Sequence, residues 1–176
     1  MRTIINFLGP ALLYGLLQIP NTAQAQTPVA NAGATLTGVV KADYDRHLGE
    51  LFRHFHANPE LSFVENKTAD RIAKELSSVG FEVTSGVGKT GLVALMKNGS
   101  GPLVMMRADM DGLPVEELTN LPYASKVTQQ NSEGQEFPVM HACGHDVHIT
   151  SLVGTARRMA ALKDSCLLYT SDAADE

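Results

Sequence analysis

The spacing of apolar residues predicts three helices in the middle and later parts of the chain. Apolar positions three or four residues apart predict helices over about 40–55 and 66–79 and a third through 149–160. Asn66 or Thr68 is a candidate cap for the second helix, and Gly80 is its expected end. Asn58-Pro59 ends the first helix, since a residue that precedes proline disfavours helical geometry.

Shorter apolar runs between the last two helices predict strands over 81–84, 91–97 and 103–106. The turn residues of 98–102 favour a hairpin between the second and third strands. The run over 103–106 has no polar alternation, which predicts a central strand covered on both faces. Helices, then strands, then a closing helix indicate the α/β fold class.

The start of the chain has a different character from the rest. Arg2, an apolar stretch over 4–17 and the small residues before 26 are typical of a secretory signal peptide, residues 1–25. Residues 26–38 are small, polar and aperiodic, which predicts a flexible linker. The mature protein is therefore expected to be exported, periplasmic or secreted, without stable membrane association.

The end of the chain, 165–176, is unlike the end of a natural domain. It is expected to be a non-native tail, too short to add a paired element. These assignments leave residues 39–164 as the folded unit.

Composition narrows the possible functions. A length of 176 residues allows one domain, and 44% hydrophobic with 19% charged residues can form a buried core. A net charge of −5 without a basic run argues against a nucleic-acid partner. Two cysteines exclude a dense disulfide framework, although a Cys143–Cys166 pair is arithmetically possible.

Two carboxylates follow the predicted strand over 103–106. Asp109 and Asp111 are two positions apart, so on extended backbone they point to the same side. In open α/β sheets, ligands bind outside the carboxyl ends of strands, where these acids lie. The alternative is that one of them stabilises a turn ahead of Gly112 and Pro114.

The densest group of reactive side chains precedes the last helix. Residues 140–148 hold three histidines, a cysteine and an aspartate, which are suitable ligands for zinc or a similar divalent ion. Cys143 and His145 can both turn toward one site at a helix N-terminus, and Asp146 can cap the helix or hold a histidine ring. His141 and His148 have no assigned role.

Several alternatives compete with a metal site. The cluster over 140–148 can instead be a buried free cysteine with core histidines and a capping aspartate, or Cys143 can pair with Cys166. Elsewhere, His54 and His56 do not share a helix face, so they are interpreted as helix-end and turn residues. The pair Glu116–Glu117 follows a proline and is interpreted as a solvated loop.

Three segments together resemble a known family. They are His56-Ala57-Asn58-Pro59-Glu60-Leu61-Ser62-Phe63, Arg107-Ala108-Asp109-Met110-Asp111-Gly112-Leu113-Pro114 and Met140-His141-Ala142-Cys143-Gly144-His145-Asp146. In order and spacing they resemble the amidohydrolases that include hippurate hydrolase, N-acyl-amino-acid amidohydrolases and indole-acetyl-amino-acid hydrolases. This family lies within the aminoacylase and glutamate carboxypeptidase group of metallopeptidases.

The resemblance implies a partial three-layer α/β/α catalytic domain that lacks its lid and dimerisation domain. It implies a pair of zinc or manganese ions, with Cys143 and His145 as metal ligands. Asp109 matches an acid that orients a ligand, and Arg107 stands where other members of the group carry a metal-binding histidine. The implied reaction is hydrolysis of the amide bond of an N-acyl-amino acid or small peptide, with a glutamate as general base. A homodimer is implied for the full-length protein.

The sequence departs from that family after Asp146. The tandem glutamates that supply the base, the later ligands and a final histidine have no counterpart before the end of the chain. The chain is therefore expected to be an N-terminal fragment that is inactive as written, with no catalytic residue assigned with confidence. The competing function is a non-catalytic, exported metal-binding or thiol-bearing domain. Within the enzyme class, a true exopeptidase is a further alternative.

Overall fold

The structure, a computed structural model, describes residues 29–165 and 169–174. The predicted signal peptide, residues 26–28 of the predicted linker and Cys166 lie outside the described residues. The described helices are α1 (Val29–Asp43), α2 (Gly49–Ala57), α3 (Asn66–Ser78) and α4 (His145–Ala161). The described strands are β1 (Glu82–Val87), β2 (Gly91–Met96), β3 (Leu103–Ala108), β4 (Thr128–Gln130), β5 (Glu136–Pro138) and β6 (Tyr169–Ala174).

The first helical segment is longer than the sequence predicts. A π-helical turn, Tyr44–Leu48, joins α1 directly to α2, so the chain is helical from Val29 to Ala57. Residues 29–38, expected as part of a flexible linker, therefore lie within α1. Alanines at 30, 32 and 34 favour helix there, and they carry no periodic apolar stripe that would reveal it in the sequence.

Helix α3 has the predicted extent but not the predicted cap. The buried Glu60 carboxylate accepts hydrogen bonds from the backbone N–H groups of Lys67 (3.2 Å) and Thr68 (2.7 Å) in its first turn. A residue outside the helix thus satisfies donors that Asn66 or Thr68 was expected to satisfy. At the other end Gly80, with φ of 96°, confirms the predicted stop.

The main sheet has the order β1-β2-β6-β3. β2 pairs antiparallel with β1 and β6, whereas β3 pairs parallel with β6. The predicted hairpin between β2 and β3 is wrong, because β6 lies between them. The expectation that the end of the chain is too short to pair is also wrong, because every residue of β6 is in register with β3. The non-native origin of residues 165–176 stays a prediction.

The predicted burial of the strand over 103–106 is wrong as well. β3 lies at the edge of the sheet, and Leu103 and Met105 are 61% and 66% exposed. Only Ala108, its last residue, is buried. The apolar run predicted a strand correctly, but its neighbours are set by long-range pairing that the run does not encode.

The core lies between the sheet and a layer of helices. It is formed mainly by the inward residues of β2 and by apolar residues of the three later helices: Leu51, Phe55, Ala69, Ile72, Leu76, Leu92, Ala94, Met96, Ile149, Leu152, Val153 and Ala156. The fold is thus a partial α/β domain in which two of the three expected layers are described. Arg157 of α4 makes a bidentate pair with Asp43 of α1, at 2.8 and 2.7 Å. Among the described helices, none is long and apolar enough to cross a membrane.

Candidate functional site

The three segments that carry the family resemblance meet in space beyond the carboxyl end of β3. The Gly112 N–H donates to the Glu60 carbonyl at 2.6 Å. Leu113 and Met140 exchange two backbone hydrogen bonds, of 2.8 and 3.0 Å. These bonds hold the 107–114 segment between the 56–63 segment and the start of the 140–146 segment.

Gly112 is required by this close packing. A Cβ at this position would lie 2.7 Å from Val139 Cγ1 and 2.9 Å from Pro59 Cβ, closer than side chains tolerate. We expect Gly112→Ala to lower the free energy of unfolding by about 1–3 kcal/mol, the usual cost of overpacking. Urea denaturation measures this. Gly38→Ala is the matched control, since open space surrounds Gly38 and alanine favours its helix; equal losses in both variants would contradict the packing argument.

His145, the first residue of α4, is held by Asp111. Its Nδ1 lies 2.8 Å from Asp111 Oδ1 and 3.0 Å from the Asp111 carbonyl oxygen. Both partners are acceptors, so Nδ1 donates the hydrogen bond, an arrangement that leaves the Nε2 lone pair of a neutral imidazole available to a metal ion. A hydrogen bond of this kind is what orients a metal-ligating imidazole.

A second carboxylate and a second imidazole lie close to His145. Asp109 Oδ2 is 3.9 Å from His145 Nε2, and Arg107 pairs with the other oxygen of Asp109 at 2.5 Å. His148, one helical turn along α4, stacks on His145 with ring centroids 5.4 Å apart. One donor atom each from Asp109, His145 and His148 lies within 4.8 Å of the others. Asp109 and Asp111 therefore both lie beside His145, Asp109 near its Nε2 and Asp111 at its Nδ1.

The remaining residues of the 140–146 segment are placed differently. Cys143 is an exposed free thiol two residues before His145, and the converging group of described donors does not include it. The role of Cys143 as a metal ligand stays a prediction. His141 is buried, and burial lowers the pKa of its imidazole.

Sequence reasoning missed a buried polar cluster beside α4. His56, at the end of α2, is close to Asp146 (Nδ1 to Oδ2, 2.6 Å) and to Glu117 (Nε2 to Oε1, 3.0 Å). The interpretation of Glu117 as a solvated loop residue is wrong, because its side chain has no solvent exposure. His56 ends a helix as expected, but it is a buried residue. The signal available in the sequence was that both residues lie in or beside the family-like segments.

The donor set fits a divalent metal ion. Imidazole nitrogens and a carboxylate oxygen are ligands of zinc and of manganese, and an oriented imidazole presents its free Nε2 among them. Asp146, expected to cap α4 or hold a histidine, accepts the Val147 N–H at 2.9 Å and holds His56. The sequence marked Asp111 as a candidate and left His148 without a role, whereas His56 and Glu117 were interpreted as helix-end and loop residues and not as part of a site.

Known proteins are similar in sequence to the part of the chain that contains this site. Residues 105–169 match the model of peptidase family M20/M25/M40. Hippurate hydrolase from Campylobacter jejuni is 48% identical over 114 residues, which are 64% of this chain and 27% of that protein. The N-acyl-L-amino acid amidohydrolase of Geobacillus stearothermophilus is 44% identical over 113 residues, which are 64% of this chain and 28% of that protein. The matched part of the chain is therefore similar to part of the M20/M25/M40 peptidases and of these two amidohydrolases.

A solved M20-family structure agrees with the fold. The Bacillus subtilis YXEP protein, described as a dinuclear metal-binding peptidase, matches with a TM-score of 0.66 and 37% identity. The match covers 76% of this chain and 35% of that one. The chain spans about a quarter of the length of the two curated relatives, hippurate hydrolase and the N-acyl-L-amino acid amidohydrolase.

Proposed function

We propose that this chain supplies the metal-binding part of an enzyme that hydrolyses the amide bond of N-acyl-amino acids or small peptides. The observation that carries the proposal is the placement of His145: its Nδ1 is held by Asp111, its Nε2 lies on the side of Asp109, and Asp109, His145 and His148 each bring one donor atom into the same group. The names of the relatives, an amidohydrolase and a hippurate hydrolase, support the substrate class.

The proposed division of roles follows from the contacts. His145 and Cys143 are ligands, Asp111 keeps the proton of His145 on Nδ1, and Arg107 holds Asp109 beside the site. Zinc or manganese, two ions in the complete site, would supply Lewis acidity and lower the pKa of water there. Each of two catalytic ions needs about three protein ligands, which is more than Cys143, His145, Asp109 and His148 offer together, so we expect further residues to complete the site and no hydrolysis by the described residues alone.

The expectations on location and assembly belong to the same proposal. The apolar stretch over 4–17 and the small residues before 26 support export to the periplasm or the medium. The partners are a small acyl-amino acid or peptide substrate and, in the full-length protein, a second copy. Nucleic acid is not a partner, in keeping with the net charge of −5.

A chimera tests the proposed reaction. The 114 matched residues of the Campylobacter jejuni hippurate hydrolase are replaced by those of this chain, and release of glycine from hippurate is measured. We expect hydrolysis that requires added zinc or manganese and is lost in the same chimera with His145→Ala. A folded chimera that binds metal and hydrolyses no acyl-amino acid or dipeptide contradicts the proposal and favours the non-catalytic metal-binding alternative.

A further inference from the structure

His56 lies between two buried carboxylates that come from different parts of the chain. Asp146 belongs to the first turn of α4, and Glu117 belongs to the loop that follows the 107–114 segment. The Asp146 and Glu117 side chains are 3% and 0% exposed, and that of His56 is 11% exposed. The three side chains form a buried chain, here termed the carboxylate–histidine–carboxylate cluster.

The chemistry of this cluster fixes its protonation. Ionised carboxylates only accept hydrogen bonds, so both ring nitrogens of His56 must donate, and the ring is an imidazolium. Burial acts to lower the pKa of His56, but the hydrogen bonds to Asp146 and Glu117 outweigh it and raise that pKa. The cluster then has one net negative charge, which the N-terminal end of α4 stabilises.

Further hydrogen bonds fix both carboxylates. Glu117 accepts a bond from the Ser125 N–H at 2.5 Å and another from the Thr119 hydroxyl. Asp146 accepts the Val147 N–H at 2.9 Å, within α4. The cluster therefore connects the end of α2, the loop over 112–125 and the first turn of α4.

We infer that His56 is a positioning residue for the metal centre, acting through Asp146. Asp146 directly follows His145, so a change in its hydrogen bonding rotates the turn of α4 that presents His145. This inference rests on the proposed metal-binding function. Mutation of a residue that orients a metal ligand usually lowers metal affinity about 10–100-fold. His56 acts on the ligand His145 through Asp146, so we expect its loss to lower metal affinity about tenfold.

Cobalt(II) binding by the full 176-residue chain tests the inference, with visible absorption as the readout. His56→Gln should bind cobalt about tenfold more weakly than the wild type and give a changed ligand-field spectrum. His47→Gln is the matched control, because His47 also contacts a buried carboxylate, Glu75, at 2.7 Å, far along the chain from the metal site. A purely structural role predicts similar behaviour for the two variants, whereas a positioning role predicts a spectral change in His56→Gln alone.

A second variant, Glu117→Gln, tests the same inference if His56→Gln fails to fold. Glu117→Gln keeps the shape of the cluster but removes a charge, and we expect a smaller shift in cobalt affinity of the same sign. Unchanged affinity and spectrum in both His56→Gln and Glu117→Gln would overturn the positioning role, as would an equal change in His47→Gln. A wild-type chain that binds no cobalt would overturn the proposed function as well, so the two failures are distinguishable.

Discussion

Replacing His145 by alanine should reduce the affinity of the chain for zinc by more than about 100-fold. The imidazole is the one donor in the described site whose free nitrogen is fixed by a hydrogen bond on the opposite side of the ring, from Asp111 at 2.8 Å. Loss of groups that only orient ligands already costs about 10–100-fold, and His145 is a proposed ligand itself. Isothermal titration calorimetry with zinc measures the effect.

His54→Ala is the control for this prediction. His54 lies on the exposed side of α2 and makes none of the contacts of the metal site, so its removal should leave the zinc affinity unchanged. Equal affinities of the wild type and His145→Ala would show that zinc binds elsewhere. A parallel loss in His54→Ala would show that the titration reports on folding and not on a defined site.

Replacing Phe55 by alanine should destabilise the fold by about 3–5 kcal/mol. Phe55 projects from α2 into the core and is 1% exposed, so its truncation to alanine removes buried apolar surface and leaves a cavity. It also precedes His56, and the loss of packing should weaken the helix end that holds the carboxylate–histidine–carboxylate cluster. Urea denaturation followed by circular dichroism measures the change.

Leu118→Ala is the matched control for the core. Leu118 is 76% exposed, and the change should alter the free energy of unfolding by less than about 0.5 kcal/mol. A cost below about 1 kcal/mol for Phe55→Ala would mean that the helical layer does not pack on the sheet as described.

The elements set by local pattern were predictable from the sequence. The stripe of α3 and its stop at Gly80 are encoded within one stretch of chain, and the structure confirms both. The cap of α3 was not, because Glu60 lies outside the helix. The edge position of β3 was also missed, since the short apolar run over 103–106 does not specify its neighbours in the sheet.

The residues of the candidate site were also predictable only in part. The sequence singled out Asp109 and Asp111 as well as the segment that contains His145, and these three side chains lie close together in the structure. The contact between His56 and Asp146 joins positions 90 residues apart, and that of His56 with Glu117 joins positions 61 apart. Such pairs depend on how α2, α4 and a loop pack together, which no local periodicity contains.

The central claim is that Cys143 and His145 bind the same metal ion beside Asp109. Cobalt(II) titration of the wild-type chain and of Cys143→Ser tests it most directly, because a thiolate ligand gives a charge-transfer band in the near ultraviolet. The account predicts this band in the wild type, its loss in Cys143→Ser, and loss of cobalt binding in His145→Ala. A wild-type chain that binds cobalt without the band, or with equal affinity in all three proteins, would contradict it.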